Sequence, residues 1–309
     1  MRLFRTENGG LQRLKEKNVA LEKHIQQVTE KNLDQTLGLQ FVASEFRIKN
    51  SRFDTLAFDI EAKAFVIVEY KRDKNSSVID QGLTYLSLLL NNKAEFVLAY
   101  NEKMKQSQTK EFFDWSQTRV IFIAEAFTQF QIGSLGFKNL PIELWKVNLF
   151  EEGFLCYEKV ETPSGEADFS SITKSSDTKV ISQELKELVV YDEEHHFSEG
   201  RKDSKELYEL LKTELMNIVN GTQVRFLKHY IAFDYPNTGR SFVEVIPQKR
   251  GLKVCFRPEI KAFRSTVLDL IDRSNVGHWG TGNTAAILTK KEELPHIMSL
   301  VQQAIELSK

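Results

Sequence analysis

The chain concentrates chemically capable side chains between Arg52 and Tyr85, where two carboxylates, a lysine and a glutamine-tyrosine pair follow one another. Carboxylate oxygens are the hard ligands that Mg²⁺ prefers, and an ammonium group beside them offsets negative charge when water attacks a phosphate ester. These residue types therefore suit metal-assisted hydrolysis of a phosphodiester. The residues are Asp54, Glu69, Lys71, Gln81 and Tyr85.

An antiparallel hairpin would bring the two carboxylates together. Apolar runs at 53–60 and 64–68 flank a short polar segment, which is typical of two strands joined by a turn. A turn at this segment places Asp54 opposite Glu69. Because strand side chains alternate, Glu69 and Lys71 share one face of the sheet. The hairpin thus predicts two acids and an ammonium at one end of a sheet.

An acid-x-lysine triplet taken alone is most often a pair of edge charges at the end of a buried strand. Here three further features accompany the triplet. The strand before it is apolar, an aspartate occupies the matching hairpin position, and a helix follows with Gln81 and Tyr85 four residues apart on one face. The side chain of Tyr70 points to the opposite face, but its backbone carbonyl is a third candidate metal ligand. The combination favours a catalytic site.

The surrounding pattern alternates helices and strands, which indicates a mixed sheet covered by helices. The predicted first helix carries two glutamates that could complete the metal site, Glu22 and Glu30, and the choice between them stays open. Glu45, on the next strand, is interpreted as a surface charge. The predicted elements are a helix at 18–37, strands at 39–49, 94–100 and 119–124, helices at 78–90 and 107–115, and an edge hairpin at 141–149 and 153–160.

At these residues the sequence resembles the PD-(D/E)XK nuclease superfamily, within it the RecB-like and NucS-like branch, over roughly residues 18–124. The resemblance implies a restriction-endonuclease-like α-β-β-β-α-β core with a mixed sheet and cleavage, usually of DNA, that depends on Mg²⁺ or Mn²⁺. It assigns Asp54 as the motif aspartate, the triplet to Glu69, Tyr70 and Lys71, and the helix motif to Gln81 and Tyr85, which would position the scissile strand. The helical glutamate of the superfamily best matches Glu22. Phe53 replaces the motif proline.

Length and composition set the class of protein. A chain of 309 residues with 41% hydrophobic and 28% charged residues is ordinary for globular domains, and its length favours two of them. The N-terminus is too polar for a signal peptide, and no apolar run reaches membrane-spanning length, so a cytoplasmic protein without membrane contact is expected. Cys156 and Cys255 show no ligand-type spacing, which argues against a zinc site or a disulfide framework.

The predicted domains are 1–160, a nuclease-like domain, an acidic linker at 161–200, and an uncharacterised α+β domain at 201–309. The net charge of −1 hides a segment, 151–200, with 13 acidic and 4 basic residues. The last domain resembles one that accompanies nuclease domains and is sometimes labelled a predicted transport protein. A basic group near one of its strands could contact phosphates or be a solvated face: Lys249, Arg250, Lys253 and Arg257.

Three hypotheses follow. The favoured one is a metal-dependent DNA endonuclease in repair, restriction or defence, with Mg²⁺ or Mn²⁺ as cofactor, nucleic acid as partner and a homodimer as a possible assembly. The alternatives are a nucleic-acid-binding module that keeps the fold without turnover, and a regulatory protein that acts through its C-terminal domain. The presence of all five side chains between Asp54 and Tyr85 favours the first.

Overall fold

The computed structural model describes residues 2–17, 22–71, 77–136, 140–161, 187–189, 191–197, 201–236, 238–274 and 280–308. The chain forms two compact units. The first contains residues 1–59 and 63–189, and the second contains 60–62 and 190–309. The first unit thus continues past residue 160, and part of the predicted linker, including 162–186, lies outside the described residues.

The first unit is built on a seven-stranded mixed sheet with the order β3-β8-β7-β6-β5-β4, and β9 also pairs with β8. Strands β6, β7 and β8 are parallel neighbours, while β4, β5 and β6 form an antiparallel meander. A separate two-stranded hairpin precedes the sheet. The strands are β1 Leu3–Glu7, β2 Gly10–Leu14, β3 Glu16–Lys17, β4 Gln40–Ile48, β5 Ser51–Asp59, β6 Ala64–Lys71, β7 Arg119–Ala124, β8 Ile142–Phe150 and β9 Leu155–Lys159.

Helices cover both faces of this sheet. One face packs against α3 and α4 through an apolar cluster that includes Leu56, Phe65 and Phe122. The other face holds a smaller cluster with Val66 and Ile25. The helices are α1 Glu22–Lys31, α2 Leu33–Thr36, α3 Val78–Asn91, α4 Lys93–Met104 and α5 Gln129–Ser134. From α1 to β7 the observed order is two helices, three strands, two helices and a strand, which confirms the predicted α/β class with a mixed sheet.

Three predicted elements need correction. Residues 94–100 are helical within α4, because Phe96 and Tyr100, four residues apart, are buried while Leu98 is 59% exposed. Residues 107–115 form only short 3₁₀ turns at Lys110–Phe112 and Trp115–Gln117. The predicted helix at 18–37 is two helices, α1 and α2, with residues 18–21 outside the described part.

The second unit is a six-stranded antiparallel sheet in the order β10-β11-β12-β13-β15-β14, packed against two long helices. Its core includes Tyr208, Phe233 and Val301. This confirms the predicted C-terminal α+β region. The elements are α6 Glu193–His196, α7 Lys202–Ile218, β10 Gln223–Phe226, β11 Ile231–Asp234, β12 Ser241–Gln248, β13 Gly251–Phe256, β14 Ile271–Asp272, β15 Thr284–Leu288 and α8 Leu294–Leu307. No helix in the described residues has the length and apolar character needed to cross a membrane.

Candidate active site

The β5–β6 hairpin brings the two predicted carboxylates side by side. Thr55 pairs with Val68, so the next position of the antiparallel ladder sets Asp54 opposite Glu69. The Asp54 carboxylate is fixed there, because its Oδ2 accepts a hydrogen bond from the Tyr70 backbone N–H at 3.0 Å. The predicted hairpin register is therefore confirmed.

Glu69 is the more buried acid of the pair, with 7% of its surface exposed. Its Oε1 accepts hydrogen bonds from Lys71 Nζ at 3.2 Å and from Gln81 Nε2 at 2.7 Å. Its Oε2 is buried and has no hydrogen-bond partner among the described residues. A buried carboxylate oxygen normally has a partner, so this oxygen is open to a ligand.

The two acids interact electrostatically. Burial, and after it the neighbouring charge of Glu69, raise the pKa of Asp54 from 3.8 to about 6. The hydrogen bond from the Tyr70 N–H and the charge of Lys71 act in the opposite direction but are outweighed. A like-charged pair in a partly desolvated position is a typical environment for a cation, because a positive ion relieves the repulsion.

Helix α3 positions Gln81 and Tyr85 against the acids. The helix begins after Ser77, whose side chain caps it by accepting from the Asp80 N–H at 3.3 Å. The Nε2 of Gln81 lies 2.6 Å from the Tyr85 hydroxyl, which donates in turn to the Arg52 carbonyl at 3.3 Å. Tyr85 is 8% exposed, and its burial raises the pKa of its hydroxyl. Gln81 thus links Glu69 to Tyr85 within the protein.

The Tyr70 side chain lies on the opposite face of the sheet from Glu69, as predicted from strand alternation. Burial raises the pKa of its hydroxyl. Glu30 is also engaged on that side, where its Oε1 accepts from Thr55 Oγ1 at 2.7 Å and from Gln26 Nε2 at 3.1 Å. Glu22 is the first residue of α1, and its side chain lies outside the described part of the chain.

Two further residues adjoin Asp54 that sequence reasoning did not select. Gln26 is buried, and its Nε2 donates to the Asp54 backbone carbonyl at 2.9 Å. The β4–β5 register sets Glu45, interpreted above as a surface charge, opposite Asp54, and Glu45 pairs with Arg52 at 2.9 Å. Finding either residue requires the long-range pairing of α1 and β4 with β5, which no local pattern in the sequence specifies.

A divalent cation fits the oxygen donors of this site only in part. Asp54 and Glu69 supply adjacent carboxylates, and the unpartnered Oε2 of Glu69 marks a position for a ligand. However, no group of three or more His, Cys, Asp or Glu in the described residues is arranged to hold a metal ion. Further ligands would come from backbone, water or substrate oxygens, which Mg²⁺ accepts readily.

In the second unit, the four basic residues singled out in the sequence do not form one exposed surface. Arg257 forms an ion pair with the buried Glu61, and it donates to the Ser241 carbonyl at 2.8 Å. Lys249 and Arg250 lie at the exposed β12–β13 turn, and Lys253 lies on β13.

Comparison with known proteins shows the family. The chain is 39% identical over 306 residues to an uncharacterised protein of Haemophilus influenzae, and the alignment covers 99% of this chain and 100% of that protein. The chain belongs to the family of that protein. Residues 193–308 also match a domain of unknown function, DUF5655.

Among solved structures, the chain is similar to Pyrococcus furiosus SfsA in complex with Ca²⁺. The likeness has a TM-score of 0.24 and 17% sequence identity, and it covers 45% of this chain and 62% of that one.

Proposed function

We propose that the first unit is a metal-dependent nuclease that hydrolyses phosphodiester bonds, with DNA as the first substrate to test. The observation that carries the proposal is the pair Asp54 and Glu69, adjacent across β5 and β6, with Lys71 Nζ 3.2 Å from the Glu69 carboxylate. This is the donor set expected for the PD-(D/E)XK pattern that the sequence resembles.

Each residue has a role that its contacts support. Asp54 and Glu69 would hold Mg²⁺ or Mn²⁺, with the Tyr70 carbonyl and Glu22 as further candidate ligands. When bound, such a cation supplies charge neutralisation and a water of lowered pKa. Lys71, held next to Glu69, offsets charge on the phosphate and orients the attacking water.

Gln81 and Tyr85 are proposed to position Glu69. Gln81 donates to the Glu69 oxygen that also accepts from Lys71. The Tyr85 hydroxyl accepts a second hydrogen bond from Gln81 and so restrains its side chain. Because Tyr85 is almost fully buried, we assign it a positioning role and not a contact with substrate. Gln81, which is less buried than Tyr85 and donates to Glu69 directly, can serve both purposes.

One observation favours the second hypothesis, a nucleic-acid-binding protein without turnover. Among the described residues, no group of three or more His, Cys, Asp or Glu is arranged to hold a metal ion. On this alternative the chain binds nucleic acid, and residue Lys71 contributes charge alone. The two functions make opposite predictions for cleavage.

The deciding experiment incubates the purified full-length chain with single-stranded, double-stranded and branched DNA and with RNA, in Mg²⁺, Mn²⁺ or EDTA. Cleavage in Mg²⁺ or Mn²⁺ that disappears in EDTA and in Asp54→Ala and Lys71→Ala is expected. The matched controls are Asp34→Asn and Lys110→Ala, which remove exposed charges away from the site. Cleavage that persists in Asp54→Ala and Lys71→Ala would refute the site, and binding without cleavage would favour the alternative.

Metal binding is tested separately by titrating Mn²⁺ into the protein and measuring the heat released. Wild type is expected to bind, whereas Asp54→Ala and Glu69→Ala are expected to lose at least tenfold in affinity, as mutation of metal ligands and their supporting groups commonly does. Unchanged affinity in both variants would show that these acids hold no cation.

A further inference from the structure

The tip of the β4–β5 hairpin carries an unusual arrangement of like charges. Arg47 and Arg52 are directly opposite each other in the antiparallel ladder, and both are exposed. Lys49 lies in the turn between them with a positive φ of 53°. Like charges directly opposite on one face of a sheet are destabilising. A bound anion would convert this repulsion into attraction.

Within the described residues, the acids near this tip do not neutralise it. Glu45 pairs with Arg52 at 2.9 Å, and both side chains remain about half exposed. No carboxylate in that part of the chain pairs with Arg47 or Lys49. Three cations with one acid therefore face solvent, and the Glu45 contact restrains the Arg52 guanidinium without burying it.

The tip adjoins the candidate active site. Arg52 precedes Asp54 by two residues on β5, which sets their Cα atoms about 7 Å apart along the strand. Glu45, which holds Arg52, is opposite Asp54 in the ladder. The separation of the Arg52 and Asp54 Cα atoms is comparable to the separation of successive phosphates along a nucleic-acid strand.

We propose that Arg47 and Arg52 form a contact surface for the sugar-phosphate backbone of a nucleic-acid strand. They would bind the phosphate adjacent to the scissile phosphate, which would lie at Asp54 and Glu69. Guanidinium groups suit this role because their planar N–H donors match phosphate oxygens in pairs. The exposed tip fits an extended polyanion better than a small enclosed ligand. The inference rests on the proposed function in taking the substrate to be a nucleic acid.

The test measures binding without cleavage. Fluorescence anisotropy of labelled single-stranded and duplex DNA, and of RNA, is recorded in EDTA with the full-length protein over a range of salt concentrations. Arg47→Ala and Arg52→Ala are each expected to weaken binding about 3- to 10-fold and to reduce the salt dependence by about one phosphate contact. Arg47→Lys, which keeps the charge, should retain more affinity than Arg47→Ala.

The matched control is Lys110→Ala. Lys110 is exposed and begins the 3₁₀ turn at 110–112. The backbone N–H of the nearby Asp114 donates to the Lys63 carbonyl, which ties this turn to the end of the sheet away from the hairpin tip. It should bind like wild type. The inference is overturned if both arginine variants bind like wild type, if Lys110→Ala weakens binding equally, or if a poly-glutamate peptide binds with the same dependence on the arginines.

Failure of this inference can be told apart from failure of the proposed function. Cleavage in Mg²⁺ by wild type together with unchanged binding by the arginine variants would refute the contact surface alone. Arginine-dependent binding without cleavage in any metal would refute the nuclease and leave the contact surface intact. Thermal unfolding of each variant confirms that the hairpin still folds.

Discussion

The Nε2 of Gln81 lies 2.7 Å from Oε1 of Glu69, so a helix side chain holds one member of an acid pair that is formed on neighbouring strands. Lys71 donates to the same oxygen, which leaves Oε2 as the open oxygen of that carboxylate. The orientation of Glu69 therefore depends on packing of α3 against the sheet as well as on the hairpin.

Gln81→Ala is expected to lower the rate of metal-dependent cleavage about 10- to 100-fold, because Glu69 loses the donor that orients it. Gln81→Glu should lower the rate further, since a third negative charge would face Glu69. Initial rates and Mn²⁺ affinity, measured on both variants, check this. Thr84→Ala, three residues along the exposed side of α3, serves as the control. Wild-type rates in both Gln81 variants would contradict the positioning role.

Asp54→Asn is expected to stabilise the metal-free protein at neutral pH while abolishing cleavage. The pKa of Asp54 is about 6 in the folded protein and about 3.8 in the unfolded chain, so its ionised form disfavours folding. This free-energy cost of folding is complete above pH 6 and disappears as the pH falls toward 3.8. Above pH 7 the gain should reach about 1–3 kcal/mol.

Thermal unfolding at several pH values measures this effect. The difference between Asp54→Asn and wild type should vanish near pH 4, and added Mg²⁺ should stabilise only wild type. A variant less stable than wild type at pH 7.5 would show that the Asp54 carboxylate is not under electrostatic strain. Asp34→Asn, at an exposed position, should behave like wild type throughout.

Gly82→Ala should destabilise the protein although alanine favours helices. A Cβ at position 82 would lie 2.6 Å from Cδ1 of Ile142, so α3 approaches the sheet at this glycine. Overpacking costs about 1–3 kcal/mol, against a helix-propensity gain of about 1 kcal/mol. Ile142→Val removes the clashing atom, so the double variant should recover part of the loss. Equal losses in the single and double variants, measured by urea unfolding, would contradict the close contact.

Arg119→Met should destabilise the first unit without affecting metal binding. Arg119 pairs with the buried Asp59 at 3.0 Å and with Glu143 at 3.2 Å, at the end of the sheet away from Glu69. Burial raises the pKa of Glu143, but the charges of Lys159 and Arg119 outweigh this effect and lower that pKa to about 2. Removing the arginine leaves buried charge without compensation, at a cost of about 2–4 kcal/mol.

The matched control for Arg119→Met is Lys261→Met, which breaks an exposed pair with Glu259 and should change stability by less than about 0.5 kcal/mol. Urea unfolding and Mn²⁺ titration are the two measurements. A loss of Mn²⁺ affinity in folded Arg119→Met protein would contradict the assignment of Arg119 to structure alone.

The second unit should lose stability in mild acid through His196. Burial lowers the pKa of His196 to about 4, and the charges of His195 and Arg201 act in the same direction, against Asp192. The second unit keeps its full stability above pH 6.5 with respect to this histidine. As the pH falls toward 4, the free energy of unfolding decreases by at most about 3 kcal/mol. His196→Phe should flatten this pH dependence of unfolding, whereas His24→Asn, at an exposed position, should not.

The carboxylate pair is predictable from local spacing along the chain. A hairpin with a short turn fixes its own register, so the positions of Asp54 and Glu69 follow from local spacing, and alternation then sets Lys71 beside Glu69. The capped helix with Gln81 and Tyr85 four residues apart is equally local. Strong local patterns also predicted β7 and the two-part α/β organisation.

The remaining features of the site and the fold depend on contacts between residues distant in sequence, which local patterns do not specify. The segment 94–100 is short and apolar, and its helical state follows from packing of Phe96 and Tyr100 into the core. Gln26, Glu45 and the opposed Arg47 and Arg52 acquire their roles from the register of β4 with β5 and the docking of α1. A sequence specifies which charges exist, but long-range pairing determines which of them meet.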